Sequence, residues 1–144
     1  MIEPLRLSLV VKCPPDHAFS VWTDKTSRWW PISHTVTEEP GLEVTFEPQI
    51  GGRIFERTDD GREADWGRIV AWEPPHRLVY TWHLRQDEAD ATEVEIRFDA
   101  RPEGGTTVSI EHRGWERLGA RGPDRRQANE RGWGGLLPHY LSAL

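Results

Sequence analysis

Cysteine is nearly absent from this chain. Cys13 stands alone among 144 residues, which excludes an intramolecular disulfide and any paired-cysteine zinc site. No apolar run approaches the roughly 20 residues needed to span a bilayer. The opening MIEPLRLSLVVK is too short and too alternating for a signal peptide. A clustered basic patch is also missing. The net charge is −6, from 24 acidic and 18 basic residues interspersed along the chain. That pattern speaks for a solvated surface and against a nucleic-acid partner. Internal repeats, low-complexity tracts and recognised catalytic motifs are all lacking. The expectation is a single domain over residues 1–144, cytoplasmic, with no membrane span, no metal and no cofactor.

Tryptophan, by contrast, is abundant, with eight in the chain. Indole is bulky and carries one N–H that needs a partner when buried. Such a surplus means either a thick aromatic core or an aromatic-lined cavity.

Period-two alternation marks the strands. Leu5, Leu7, Leu9 and Val11 form the first. Pro14 and Pro15 then suit a helix start, with Ala18, Phe19, Val21 and Trp22 on one face. A second short helical stretch runs from Asp24 to Trp30, and Ile32 to Gly41 reads as a loop. Leu42 to Glu47 and Ile54 to Thr58 are strands two and three. Asp59-Asp60-Gly61 is a hairpin signal. Trp66 to Trp72, Leu78 to Leu84, Glu93 to Phe98 and Val108 to His112 complete seven strands. In Trp66–Trp72 the parity conflicts: Trp66, Arg68, Val70 and Trp72 share one face, and a bulge would resolve this. Arg113 to Gly122 reads as a linker anchored by Trp115. From Pro123 onward, Trp133, Leu136, Leu137, Tyr140, Leu141 and Leu144 recur at helical spacing. Pro138 and the nearby glycines predict a kink around Gly134–Pro138. Arg125, Arg126 and Arg131 read as a solvated face. The element order is strand, two short helices, six strands, long helix. It predicts an α+β fold in which a curved antiparallel sheet packs on the C-terminal helix.

Several polar residues fall where the pattern faces inward. Glu56 shares a face with Ile54 and Thr58 and is expected to point inward, paired with Arg68 or Arg28 or acting as a base or ligand anchor, with an outward carboxylate as the alternative. His112 lies with Val108 and Ile110, as a hydrogen-bonded core residue or an acid–base group. His34 sits in a loop, where function often resides. Trp30, Trp66, Tyr80, Trp82, Trp133 and Tyr140 are the aromatic candidates for a ligand-binding wall. His34, Glu56 and His112 are suitable metal-ligand types, but their spacing matches no local motif.

The stretches PPDHAFSVWTD, WWP..H, FEP..GGR, DG.....G.I..WEPPHRLVYTW, T.V.I.HRGWE and GW..LL resemble the activator of heat-shock-protein-90 ATPase homologue-like family, from about Leu5 to Leu144. That family belongs to the START-related, birch-pollen-allergen-like superfamily (SRPBCC) with the helix-grip fold. The resemblance implies an internal cavity between sheet and C-terminal helix. Its superfamily includes lipid and hormone carriers, polyketide cyclases and ring-oxygenase subunits. The leading expectation is therefore binding of a small hydrophobic or aromatic ligand, with a polar group met by Glu56, His112 or His34. An enzyme of cyclase, dehydratase or hydrolase type is the alternative, with Glu56 and His112 as catalytic candidates converging on one reacting atom. A chaperone-associated module, identified by an exposed apolar patch, is the third. A homodimer stays open.

Overall fold

A computed structural model describes residues 2–144. Its elements are β1 (Leu5–Val11), α1 (Pro15–Thr23), β2 (Glu43–Phe46), β3 (Arg53–Arg57), β4 (Glu63–Glu73), β5 (Arg77–Trp82), β6 (Thr92–Ala100), β7 (Thr106–Arg113) and α2 (Gly122–Ala143). Short 3-10 turns cover Thr26–Arg28, Ile32–His34, Glu88–Asp90 and Trp115–Arg121. The seven strands form one antiparallel sheet in the order β1-β7-β6-β5-β4-β3-β2. The chain starts at one edge and crosses through α1 to the opposite edge. It then returns strand by strand until β7 lies beside β1. Every connection after the crossover joins neighbouring antiparallel strands. With α2 laid on the apolar face, this is the expected α+β, helix-grip-like architecture.

Alternation sorts the two faces. Inward-facing Leu78, Tyr80, Val94, Ile96, Phe98 and Val108 are fully buried. Outward positions carry a ladder of ion pairs: Arg113 reaches Glu93, Glu95 and Glu111, and Arg77 reaches Glu95 and Glu73. Opposite charges on adjacent strands are the stabilising arrangement. The Glu95 carboxyl is pushed up by burial but pulled down further by the Arg113 and Arg77 guanidinium groups, to about 2. Phe55 and Val79 are buried apolar side chains on the outward face, and the Arg53 guanidinium covers Phe55 4.0 Å from its ring centre.

The parity conflict in β4 is resolved by two register shifts, one opposite Ile54/Phe55 and one between Ile69 and Ala71. They place Trp66 and Ile69 inward and Arg68 and Val70 outward. Gly67 sits between them for a steric reason. A Cβ there would lie 1.8 Å from the Thr81 carbonyl oxygen.

One expectation about the C-terminal third is corrected. Residues 115–121, read as a linker, form a 3-10 turn with Trp115 fully buried. α2 is one helix through Pro138, and the residue with non-helical backbone near its start is Gly119 (φ 58°, ψ −130°), in the turn that precedes it. Gly134 and Pro138 are both exposed, so water can satisfy the Gly134 carbonyl that Pro138, lacking an N–H, leaves free.

Candidate functional site

The inward aromatics form a connected chain of edge and tilted contacts. Trp22 touches Trp29, Trp133 and Tyr140; Trp30 touches Trp29, Trp66 and Trp82; Tyr80 touches Phe46 and Trp82. Most of this surface is consumed in the core. Trp22, Trp66, Trp115, Tyr80 and Tyr140 have no exposure.

Space remains at one end of the helix–sheet seam. A cavity of about 370 Å³ lies between residues 30–34, the end of β5 with the loop after it, and α2. Trp30, Trp82 and Trp133 wall it, with Leu84 and Leu136. His34, Arg85, Arg125 and Asn129 supply polar groups. Its size falls in the lower part of the range of about 300–1,000 Å³ usual for small-molecule sites. On α2 the lining residues Arg125, Asn129, Gly132, Trp133 and Leu136 share one helical face.

Hydrogen bonds fix the walls. Trp30 Nε1 donates to the His34 carbonyl at 2.9 Å. Trp133 Nε1 donates to His112 Nδ1 at 3.1 Å. Indole can only donate, so Nδ1 must be the acceptor and His112 is the neutral tautomer with its proton on Nε2. That proton faces Thr92 Oγ1 at 2.7 Å, and the Thr92 hydroxyl in turn donates to the Trp82 carbonyl at 3.3 Å. The relay ties α2 to the end of β5. Burial, assisted by the Arg125 charge, lowers the His112 imidazole to about 3.

Glu56 is fully buried and faces inward. Its partners are neither Arg68 nor Arg28. Oε1 accepts from the Val36 amide (2.7 Å) and Trp66 Nε1 (2.7 Å); Oε2 accepts from the Thr37 amide (2.9 Å) and hydroxyl (2.7 Å). Burial pushes the carboxyl up, but these four bonds together outweigh it and its value falls below the ordinary range. The carboxylate anchors the segment after His34 to β3. Arg85 clasps the same segment from the other side. Its Nε and Nη2 donate to the carbonyls of Thr35 (2.8 Å) and Ser33 (2.9 Å).

The sequence candidates thus separate into two groups. Trp30, His34, Trp82 and Trp133 line the cavity. Glu56, Trp66, Tyr80, His112 and Tyr140 lie outside its lining: Tyr140 donates to the Ala18 carbonyl at 2.8 Å, Trp66 is pinned by Glu56, and the Tyr80 hydroxyl is buried with no hydrogen-bond partner among the described residues. Glu56 and His112 share the inner face but not a site. Three strands separate β3 from β7, which is about 19 Å along the sheet at ordinary strand spacing. Among the described residues no three His, Cys, Asp or Glu side chains converge as metal ligands. His34 stands at the cavity wall beside Gly135, where a Cβ would sit 3.5 Å from Nε2. Burial, Arg85 and His139 lower its imidazole below the ordinary value.

Arg125 was read from sequence as part of a solvated face, yet it is half-buried in the lining. Arg126, read the same way, donates to the carbonyls of Glu3 (2.7 Å) and Pro4 (3.2 Å). The signal was available in the helical spacing Arg125–Asn129–Trp133, which places Arg125 on the face of a buried tryptophan. The large exposed apolar side chains are Val10, Ile32, Val36, Ile50, Val70 and Leu141, distributed over several elements. No helix is long and apolar enough to cross a membrane.

The family model described as Activator of Hsp90 ATPase homolog 1-like protein matches residues 12–144. No curated protein matches the chain in sequence. Among solved structures, the anthrahydroquino-gamma-pyrone synthase Txn09 is 40% identical with a TM-score of 0.61, over 85% of this chain and 84% of that one. The self-sacrificing resistance protein CalC from Micromonospora echinospora is 27% identical with a TM-score of 0.75, over 97% and 92%. Protein MLL2253 from Mesorhizobium loti, 20% identical with a TM-score of 0.71 over 98% and 96%, shares the fold.

Proposed function

This chain belongs to the Activator of Hsp90 ATPase homolog 1-like family, and on that footing we propose that the cavity beside α2 binds a small, flat aromatic molecule. The observation that carries the reading is the tryptophan-walled space of about 370 Å³ among Trp30, Trp82 and Trp133. The parts of these indoles that reach the space are apolar and held at fixed geometry, since the hydrogen bonds of Trp30 and Trp133 and their burial in the core hold two of the three rings in place. The likeness to a synthase of fused aromatic rings supports the same ligand class.

Gly132 provides the test. It lines the cavity, and a Cβ there meets nothing within 4 Å. Gly132→Leu therefore fills the space without a backbone clash, and leaving glycine favours the helix by about 1 kcal/mol. Tryptophan fluorescence of the native protein should quench saturably with tricyclic aromatic ligands. The Gly132→Leu protein should melt no lower than the native one and should lose that quenching. Saturable binding that survives the plug would sink the reading.

A second reading, ring-forming catalysis in the same cavity, is favoured by the 40% identity to the synthase. Neither Glu56 nor His112 is free to serve it, since each is engaged within the protein. His34 is the proton-accepting side chain at the wall. Mass spectrometry of the recovered ligand separates the readings: a carrier returns it unchanged.

A further inference from the structure

The chemistry of the ligand can be taken further, on the footing of the binding reading above. The protein is acidic overall, yet its cavity lining contains two arginines, Arg85 and Arg125, and no carboxylate. The two arginines are not equivalent. Arg85 is committed to the Thr35 and Ser33 carbonyls, and Glu38 lies 3.5 Å from its guanidinium. Arg125 is half-buried, and among the described residues its side chain has neither a hydrogen bond nor an ion pair. The acid whose charge reaches it, Asp90, is held by Arg121 at 3.0 Å. No other partly buried arginine among the described residues lacks a partner. A guanidinium withdrawn from water without a counter-charge is unfavourable, and its planar fork matches a delocalised oxyanion.

We propose that the bound molecule carries an ionised oxygen, carboxylate or phenolate, which Arg125 grips while its rings lie against the tryptophan walls. Partial burial of the fork strengthens such a pair, because less water competes for it than at the open surface.

Two probe pairs test this by fluorescence titration: anthraquinone-2-carboxylate against its carboxamide, and 2-hydroxyanthraquinone, at a pH where the phenol is ionised, against 2-methoxyanthraquinone. The native protein should prefer the charged member of at least one pair by about tenfold or more. The pair that shows the preference identifies the oxyanion. Arg125→Gln should abolish that preference, weakening the charged probe well beyond any change in the neutral one, and should leave the fold intact, since no contact of the fold depends on the guanidinium. Arg125→Lys should retain part of it as a point charge. Equal affinity for charged and neutral probes overturns the proposal and leaves the cavity reading standing. So does a preference that survives Arg125→Gln, or an equal loss of both probes in that variant. If no probe of either charge binds, the cavity reading itself fails.

Discussion

Replacing Glu56 by glutamine changes one atom of a side chain that holds four donors. The native carboxylate offers two oxygens, each accepting two hydrogen bonds. Glutamine keeps one oxygen and puts an NH2 group in place of the other. If the amide oxygen stays with Val36 and Trp66, the NH2 faces the Thr37 amide N–H. The Thr37 hydroxyl can rotate to accept, but the amide cannot. One donor–donor opposition therefore remains, and three charge-assisted bonds become neutral. A buried donor left unmatched costs about 1–3 kcal/mol, and bonds to a charged acceptor exceed neutral ones by roughly 1 kcal/mol. Removing the buried charge returns part of this. The net expectation is a loss of about 2–4 kcal/mol, or roughly 4–16 °C in Tm for a chain of this length. Urea unfolding with unchanged m-value is the assay, with hydrogen exchange at Val36 and Thr37 as the local readout. The folded carboxyl lies below its unfolded value. Its stabilisation is therefore complete above about pH 4.5 and is lost as pH falls through the folded value. Glu56→Gln should flatten that part of the acid-unfolding curve. A variant with the native urea midpoint and native exchange at both amides would refute the anchoring role.

His112 should show the opposite ionisation, staying neutral in the fold down to about pH 3. The unfolded chain binds a proton near pH 6.5, so stability falls as pH drops below that, by roughly 1.4 kcal/mol per unit from this residue. Its ring NMR shifts should hold constant from pH 8 to pH 5, and His112→Asn, which keeps an acceptor for Trp133, should remove that slope from urea titrations. For Gly67→Ala, a Cβ 1.8 Å from the Thr81 oxygen forces β4 and β5 apart. We expect more than about 3 kcal/mol of destabilisation, and a urea midpoint within error of native would show that the strand approach has slack.

What the chain order determined unaided was the architecture. Period-two runs such as Val94-Ile96-Phe98 declare one buried face, and local turn chemistry such as Asp60-Gly61 declares where a strand must reverse, because both are properties of adjacent residues. Burial of His112 was readable for the same reason, and an inward Glu56 was favoured over an outward one. Their partners were not: Glu56 is satisfied by amides twenty and nineteen residues earlier and His112 by an indole twenty-one residues later. Only the tertiary structure brings those groups within hydrogen-bond reach, and doing so takes both side chains out of the cavity. Tertiary packing also decided Trp66 and Arg68. Their shared parity is broken by register shifts that depend on how β3 and β5 press on β4. Arg125 shows the limit most plainly. A charge at the start of a helix reads as solvated; the spacing Arg125–Asn129–Trp133 puts it on the face of a buried tryptophan, but whether that end of the face meets water or a tryptophan-walled cavity depends on where the sheet ends, which only the tertiary structure decides.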